Sequence, residues 1–562
     1  MVQATFIPLR RWLGPICSGS VLLLAACTVG PDFKNPDAQL PATYHGASQL
    51  DGSLTAGSTA TSAAAVPVPR HAPSELQPEA DADPRWWRNF NDPVLNALIA
   101  RAVADNPGLQ EAVLRIVDAR IGVLQANAQG LPSVNATASY NREQLGLEGI
   151  LKSKGVYNQV DQLGSNPTLN TLSPGSGPKV EQAANSFLQQ ATAPVNLFQA
   201  GFDASWELDL FGRVRRSVEA AKAQTEVSIA NSNDAMLSLE AEVAQNYVQL
   251  RGAQQSKQVA LEQIEVNRQI LSLTGNRQRH GMASQSDVES ASAQLTSDQA
   301  QVPHDEQQII QAMNALAVLV GTPPGTLDAT LAEPRPIPPL PDLVPLGLPS
   351  TLARRRPDIR AAEAKLHAAT AQIGVAVAQL YPDLSLTGQF GLRATQASYL
   401  TNWASHFYSF GPSVSLPIFE GGTLIANIRL AKNQQAEAAL DYRQTVLSAL
   451  RDVDDALVAY RADQARRDAL DQTEQATRRA FDLAHDAYRH GIVSFIDVLD
   501  AERQFTQARQ QSSAADTQVA VDLVTLYKAL GGGWEDTAEN ATANTGGDVT
   551  APAAHVERAA NN

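Results

Sequence analysis

Cysteine is nearly absent from this chain: of 562 residues only Cys17 and Cys27 carry a thiol, both within the first thirty. No disulfide framework can staple the remainder, which must fold on its own buried surface. No segment beyond the N-terminal region holds eighteen consecutive apolar residues. That excludes a transmembrane helix, so any membrane crossing must use strands. Basic charge is short: 43 Lys and Arg face 58 Asp and Glu, a formal net charge of -15. There is no basic stripe, which argues against nucleic acid as a partner. Chemistry-bearing motifs are missing too. There is no paired-histidine zinc motif, nucleophile elbow or phosphate loop; Ser173 to Lys179 holds glycines but lacks the strand and helix context. His485 and His490, five apart, do not share a helical face and are read as solvated residues, not metal ligands. No cofactor, metal or catalytic residue is expected, and an enzyme is the least favoured class.

What the chain does contain is one unit written twice. Arg279-His280-Gly281-Met282-Ala283-Ser284-Gln285-Ser286-Asp287-Val288 returns as Arg489-His490-Gly491-Ile492-Val493-Ser494-Phe495-Ile496-Asp497-Val498, 210 positions later. Ala221-Lys222 answers Ala431-Lys432, and Gly321 answers Gly531. Upstream, Asn106-Pro107 with Leu131-Pro132 matches Arg356-Pro357 with Tyr381-Pro382. Two structurally equivalent halves follow.

The N-terminus reads as an export signal, with Arg10-Arg11 before a short apolar stretch from Ile16 to Ala26. Leu24-Ala25-Ala26-Cys27 resembles the lipobox of bacterial lipoproteins, which implies a signal peptide over 1–26 and lipidation of Cys27. Thr28 rather than Asp after it is compatible with sorting to the outer membrane. The alternative is an ordinary signal peptide with Cys27 incidental. Residues 27–93 form a tether, loose to about Pro84 and rich in Ala, Ser, Thr and Gly between 46 and 66.

The first repeat occupies 94–321 and the second 350–532, joined by a Pro-rich linker over 322–349; the polar tail 533–562 is expected to be disordered. Each repeat opens with a helix and continues into a strand hairpin, about 132–210 and 382–417. Val134, Ala136, Ala138 and Tyr140 alternate with polar residues, as do Phe198 through Leu210, Leu384 through Leu392, and Tyr408 through Leu416. Period two with one apolar face is the pattern of a transmembrane barrel strand, and also of a half-buried soluble sheet. The first hairpin is joined by about fifty residues, Arg142 to Pro194, read as a long exterior loop. A very long helix then runs from about Val214 to Arg279, with Leu239, Val243, Tyr247 and Leu250 in coiled-coil rhythm; Leu450, Val453, Leu457 and Tyr460 repeat it. Gly281 and Gly491 are read as left-handed caps at reversals, followed by return helices to about Leu319 and Leu530.

Four strands cannot close a barrel, and an open edge in lipid leaves backbone groups unsatisfied, so the chain must oligomerise. Two copies give a filled eight-stranded barrel; three give twelve strands and a lumen. The long helices are too polar for the bilayer and should form a second tube in the periplasm.

Several motifs together resemble the trimeric outer-membrane efflux channels, the TolC-like family, and in particular its lipoprotein branch of OprM or NodT type. They are the lipobox, Val29-Gly30-Pro31-Asp32-Phe33, Trp86-Trp87 with Phe90 and Asp92-Pro93, Arg355-Arg356-Pro357-Asp358-Ile359, Tyr381-Pro382-Asp383-Leu384, and Phe495-Ile496-Asp497-Val498-Leu499-Asp500-Ala501. The resemblance spans nearly all of residues 24 to 532. It implies a mainly α chain with a membrane β-barrel: a homotrimer with a 12-stranded outer-membrane barrel continuous with a periplasmic α-helical barrel. It also implies the partners, a periplasmic adaptor and an inner-membrane pump of the resistance-nodulation-division type, which pass drugs or other small toxic compounds to the exterior.

The same resemblance puts the gate at the helix reversals. Asp287, Asp497 and Asp500 match acidic tip positions and Tyr488 a tip tyrosine; Val493 stands where the best-known members carry a gate-bridging arginine. The closing contacts must then differ, with a hydrophobic constriction as one option. Three subunits would gather about six to nine carboxylates, a ring that favours cations. The plainer alternative is that the aspartates cap or solvate the returning helices. Arg279, Gly281 and Ser284, with Arg489, Gly491 and Ser494, are candidates for the surface that docks the adaptor. Two competing functions remain: a polypeptide secretion channel, and a lipid-anchored coiled-coil scaffold without a pore. A scaffold has no use for alternating strands.

Overall fold

The computed structural model describes residues 28–37, 40–41, 43–45, 74–77, 80, 83–144 and 146–534. The signal peptide, Cys27, the 46–66 stretch and residues 535–562 lie outside the described residues. In chain order come β1 (Glu75–Gln77), α1 (Pro93–Asp105), α2 (Pro107–Ala128), β2 (Ser133–Glu143), α3 (Leu147–Ser153), α4 (Val156–Gly164), α5 (Pro167–Leu172) and α6 (Ser176–Thr192). Then follow β3 (Val195–Leu208), α7 (Arg213–Arg279), α8 (Gln285–Leu319), α9 (Asp328–Leu331), β4 (Leu343–Pro345), α10 (Pro349–Arg355) and α11 (Pro357–Ala378). The chain closes with β5 (Asp383–Ala394), β6 (His406–Ser415), α12 (Thr423–Arg489) and α13 (Phe495–Leu530). The two long helices have the same length, 67 residues each, or about 100 Å.

Two compact units emerge, and they cut across the sequence repeats. Among the described residues one comprises 28–31, 124–219 and 371–431; the other comprises those of 32–123, 220–370 and 432–534. The division falls within α2, α7, α11 and α12.

The first unit is built on one four-stranded antiparallel sheet in the order β2-β3-β5-β6. Its register puts like with like. Tyr140 pairs with Phe198, Ala136 with Phe202, Phe202 with Phe390, and Phe390 with Tyr408, so the apolar alternation of all four strands falls on one face. The other face carries Asn135, Thr137, Gln199, Asp203, Ser385, Gln389 and Ser413. Apolar side chains on the first face are uncovered in the single chain: Phe410 is 80% exposed and Val414 66%. Outward apolar side chains are what hydrocarbon would cover. Rings cluster where the strands meet the helices, Phe211 stacking on Tyr381 at 4.8 Å, while Trp206 donates its indole N–H to the Gly130 carbonyl at 2.8 Å. Aromatics at that level fit a membrane interface. Among the described residues β2 and β6 each keep one unpaired edge. The N-terminal residues are held in this unit as well. Val29 N–H donates to Phe211 O at 3.1 Å, and Arg216 donates to the Val29 and Gly30 carbonyls. A Cβ on Gly30 would sit 2.5 Å from the Gly374 backbone, so only glycine permits that approach.

The long connection between β2 and β3 carries four helices, α3 to α6. Gly146, Gly155 and Gly175 sit in the left-handed region immediately before α3, α4 and α6, where they turn the chain between helices.

The second unit is cored by the coiled-coil positions. Val243, Tyr247, Leu250, Val453, Leu457 and Tyr460 are fully buried, with Trp86, Leu95, Leu316, Leu523 and Tyr527. Asp92 caps α1, accepting from Val94 N–H at 2.8 Å, and takes the Tyr247 hydroxyl at 2.6 Å. The Trp86 ring stacks on Tyr527 at 5.3 Å. The stretch before Pro84 is not wholly loose: β1 pairs in parallel with β4 from the Pro-rich linker. The duplication persists down to single bonds. Asn106 donates to Leu319 O at 2.9 Å and Arg356 to Ala529 O at 3.2 Å. In each repeat the residue before the proline thus satisfies an orphan carbonyl at the end of the returning helix. At the other end, Trp534 is buried and donates to Arg355 O at 2.8 Å.

Candidate gate at the helix reversals

Both reversals use one backbone device. α7 ends at Gly281 with φ 72°, where Met282 N–H reaches Arg277 O at 2.8 Å and Gly281 N–H reaches Gln278 O at 2.9 Å. α12 ends at Gly491 with φ 74°, where Ile492 N–H reaches Ala487 O and Gly491 N–H reaches Tyr488 O, both at 2.9 Å. These are Schellman closures, which a residue with a Cβ adopts only under strain. The returning helices then start from matching serines. Ser284 N–H donates to Asp287 Oδ2 at 2.9 Å while Asp287 N–H donates to Ser284 Oγ at 3.1 Å. Ser494 donates to Asp497 Oδ2 through its N–H at 2.9 Å and its hydroxyl at 2.7 Å. The aspartates therefore occupy the third helical position of capping boxes, facing the positive end of the helix dipole. The Ser494 hydroxyl and then its amide hold the Asp497 carboxyl below the ordinary value. This is the plainer capping role, and it leaves the charge in place: Asp497 and Asp500 are exposed and Asp287 is half-buried.

Around the second reversal the chain builds an apolar plug. Tyr488, Phe495, Val498, Phe481 and Phe505 are buried together with Ile270 from α7 and Ala291 from α8; Val493 is partly buried against them. Tyr488 is thus a packing residue in the single chain, its ring tilted on Phe495 at 5.8 Å. Arg277, which the sequence reading passed over, closes the arrangement. Its guanidinium lies 4.4 Å from the Tyr488 ring centroid, and its Nη1 donates to the Tyr488 carbonyl in the last turn of α12. A cation at a helix C-terminus and over an aromatic face is doubly favoured. This contact clasps the first repeat's hairpin to the second. Arg279, Gly281, Ser284, Arg489, Gly491 and Ser494 are all exposed and form the rim.

Behind the plug the packing turns polar. Glu502 is 1% exposed and accepts from Asn267 Nδ2 at 3.0 Å and Thr506 Oγ1 at 3.0 Å, with Gln263 as a third donor. Asn267 also donates to Asp298, so α7, α8 and α13 meet through one amide–carboxylate network. Burial pushes the Glu502 and Asp298 carboxyls up. A polar cleft of about 290 Å³ lies beside it, lined by Gln263, Gln294, Asp298, Gln301, Arg503 and Thr506. Among the described residues no group of three or more His, Cys, Asp or Glu could hold a metal ion, and no helix is long and apolar enough to cross a membrane.

An open sheet with one apolar face, and two 67-residue helices reversing on matched caps, is a known combination. The model of the family described as outer membrane efflux protein matches residues 98–322 and 348–532. The chain belongs to that family. Outer membrane protein OprJ of Pseudomonas aeruginosa is 31% identical over 523 residues, covering 92% of this chain and 95% of OprJ. Nodulation protein T of Rhizobium leguminosarum bv. viciae is 30% identical over 518 residues, covering 91% and 92%. The solved outer-membrane channel OprN superposes with a TM-score of 0.73 at 31% identity, covering 91% of this chain and all of OprN. This outer membrane efflux protein is thus of the OprM/NodT type, resides in the outer membrane and has the TolC-like fold.

Proposed function

We propose that this efflux protein works as the exit duct of a tripartite pump and conducts drugs or other small toxic compounds. It assembles as a homotrimer whose twelve strands enclose a lumen, and it opens and closes at the helix reversals. The observation that carries the reading is the open sheet: one uncovered apolar face, one polar face and two unpaired edges call for lipid outside, water inside and further copies at both sides. A resistance-nodulation-division pump and a periplasmic adaptor feed the duct, and the exposed Arg-Gly-Ser rims receive the adaptor. Arg277, Tyr488 and Phe495 hold the closed tip, while Asp287, Asp497 and Asp500 supply a cation-favouring ring. The lipobox at Cys27 anchors the chain through lipid. No catalysis is involved.

Planar-bilayer conductance of the mature protein tests this, wild type beside an Asp287→Ala/Asp497→Ala double variant. Stepwise cation-selective pores, larger or less selective in the variant, are expected. A correctly folded oligomer that opens no pore in either form would overturn the duct in favour of the scaffold.

A further inference from the structure

We propose that Arg393 is a charge-selecting residue at the outer end of the lumen, disfavouring cations there. This rests on the duct reading above. All four strands meet helices at one end and hairpin connections at the other, because α2 leads into β2, α11 into β5, β3 into α7 and β6 into α12. Arg393, next to last in β5, therefore lies at the hairpin end of the polar face. Asp203 lies at mid-height of the same face, aligned with Gln389.

Among the described residues five charged side chains share this face: Glu143 is exposed at the hairpin end of β2 and Asp383 lies at the helix end of β5, while the other three are treated in two ways. At the helix end Glu207 is cancelled by Arg213, whose Nε donates to it at 2.8 Å. Farther out, charge is satisfied without being cancelled. Arg393 donates through Nε and Nη2 to the neutral Gln199 Oε1 at 3.1 and 3.0 Å, and its guanidinium lies 4.7 Å from the Phe407 ring centroid. Asp203 accepts from the Thr137 hydroxyl at 2.9 Å. An amide and an aromatic face fix the guanidinium flat against the wall, which costs the lumen little width and leaves the full positive charge facing the water. Arg393 lies four residues beyond Gln389, about 13 Å along the strand. That exceeds the Debye length of about 8 Å at physiological ionic strength, so the acid at mid-height does not neutralise the base above it. Three copies make a basic ring at the Arg393 level, between the Asp203 acids at mid-height and the Glu143 acids four residues farther out, each about 13 Å away. Any cation passing the Arg393 level meets a repulsive barrier in either direction, and anions enter there more readily than the acidic tips alone would allow.

The test is the reversal potential of the full-length protein in a planar bilayer under a tenfold KCl gradient, for wild type, Arg393→Gln, Arg393→Lys and Asp203→Asn. Arg393→Gln should raise the potassium-to-chloride permeability ratio by about twofold or more. Arg393→Lys keeps the charge and should match wild type, whereas Asp203→Asn should lower the ratio. Open Arg393→Gln channels with the wild-type ratio would overturn the proposal, as would an Arg393→Lys channel that behaves like Arg393→Gln. A wild-type protein that forms no pore would instead overturn the duct reading on which it rests.

Discussion

The two helix reversals share a backbone and differ in almost everything packed on it. At the second, Tyr488, Phe495 and Val498 are buried. Their counterparts 210 positions earlier are Gln278, Gln285 and Val288, all exposed or only partly covered. Glu502, central to the buried network, corresponds to Ser292, and Arg277 corresponds to Ala487. Duplication preserved what the chain needs in order to turn, the left-handed glycine and the serine–aspartate box. It freed the side chains to specialise. One tip became a packed plug and the other became the arm that clasps it.

The sharpest way to break this asymmetry is to remove the plug. Phe495→Ala should cost about 3–5 kcal/mol, whereas Gln285→Ala should change stability by no more than about 0.5 kcal/mol. Native-state hydrogen exchange of amides near 480–500 and 270–290 reads both; equal effects would mean that the plug is not the stabilising tip. Next in size is the clasp. Arg277→Ala loses a cation–π contact and a charged hydrogen bond, about 1–3 kcal/mol, and single-channel conductance should rise. Arg277→Lys should recover only part of the loss, because an ammonium cannot both stack and donate in the same plane.

The caps should behave alike, since the shared backbone makes them. Ser284→Ala and Ser494→Ala should each cost about 1 kcal/mol by the same exchange measurement. A much larger cost at one site would show that its surroundings, not the motif, set its worth.

Acidity gives the smallest and most diagnostic contrast. Asp497, held below its ordinary value by Ser494, stabilises the second tip above the usual carboxylate range, and that help fades as pH falls through its depressed value. Glu502 works in the opposite sense. Burial raises its value above 4.5, so its ionised form costs stability at neutral pH, and the cost is relieved as pH falls through the raised value. Protection at the second tip should therefore first rise on mild acidification and then fall, and Glu502→Gln should shrink the rise, leaving the part that the buried Asp298 carboxyl contributes.

Much of this was legible in the sequence, for stated reasons. The 210-residue offset located both reversals, and strict alternation located all four strands, because period two and left-handed glycine caps are local properties. Three features escaped. Arg277 has no arginine in the matching position, so a search for repeated residues passes over it; its meaning depends on Tyr488, 211 residues away. The helices α3 to α6 hid behind glycines that serve as turns between short helices. The pairing of β1 with β4 involves three residues on each side, too few for any periodicity to register.

The unpaired edges of β2 and β6 also constrain how the protein comes into being. A lone chain entering hydrocarbon would carry two rows of unsatisfied amides and carbonyls, each costing several kilocalories per mole. Insertion before assembly is therefore the uphill order of events. The copies must find one another while still in water or at the bilayer surface, which makes maturation a collision-limited process whose yield depends steeply on how many new chains arrive together.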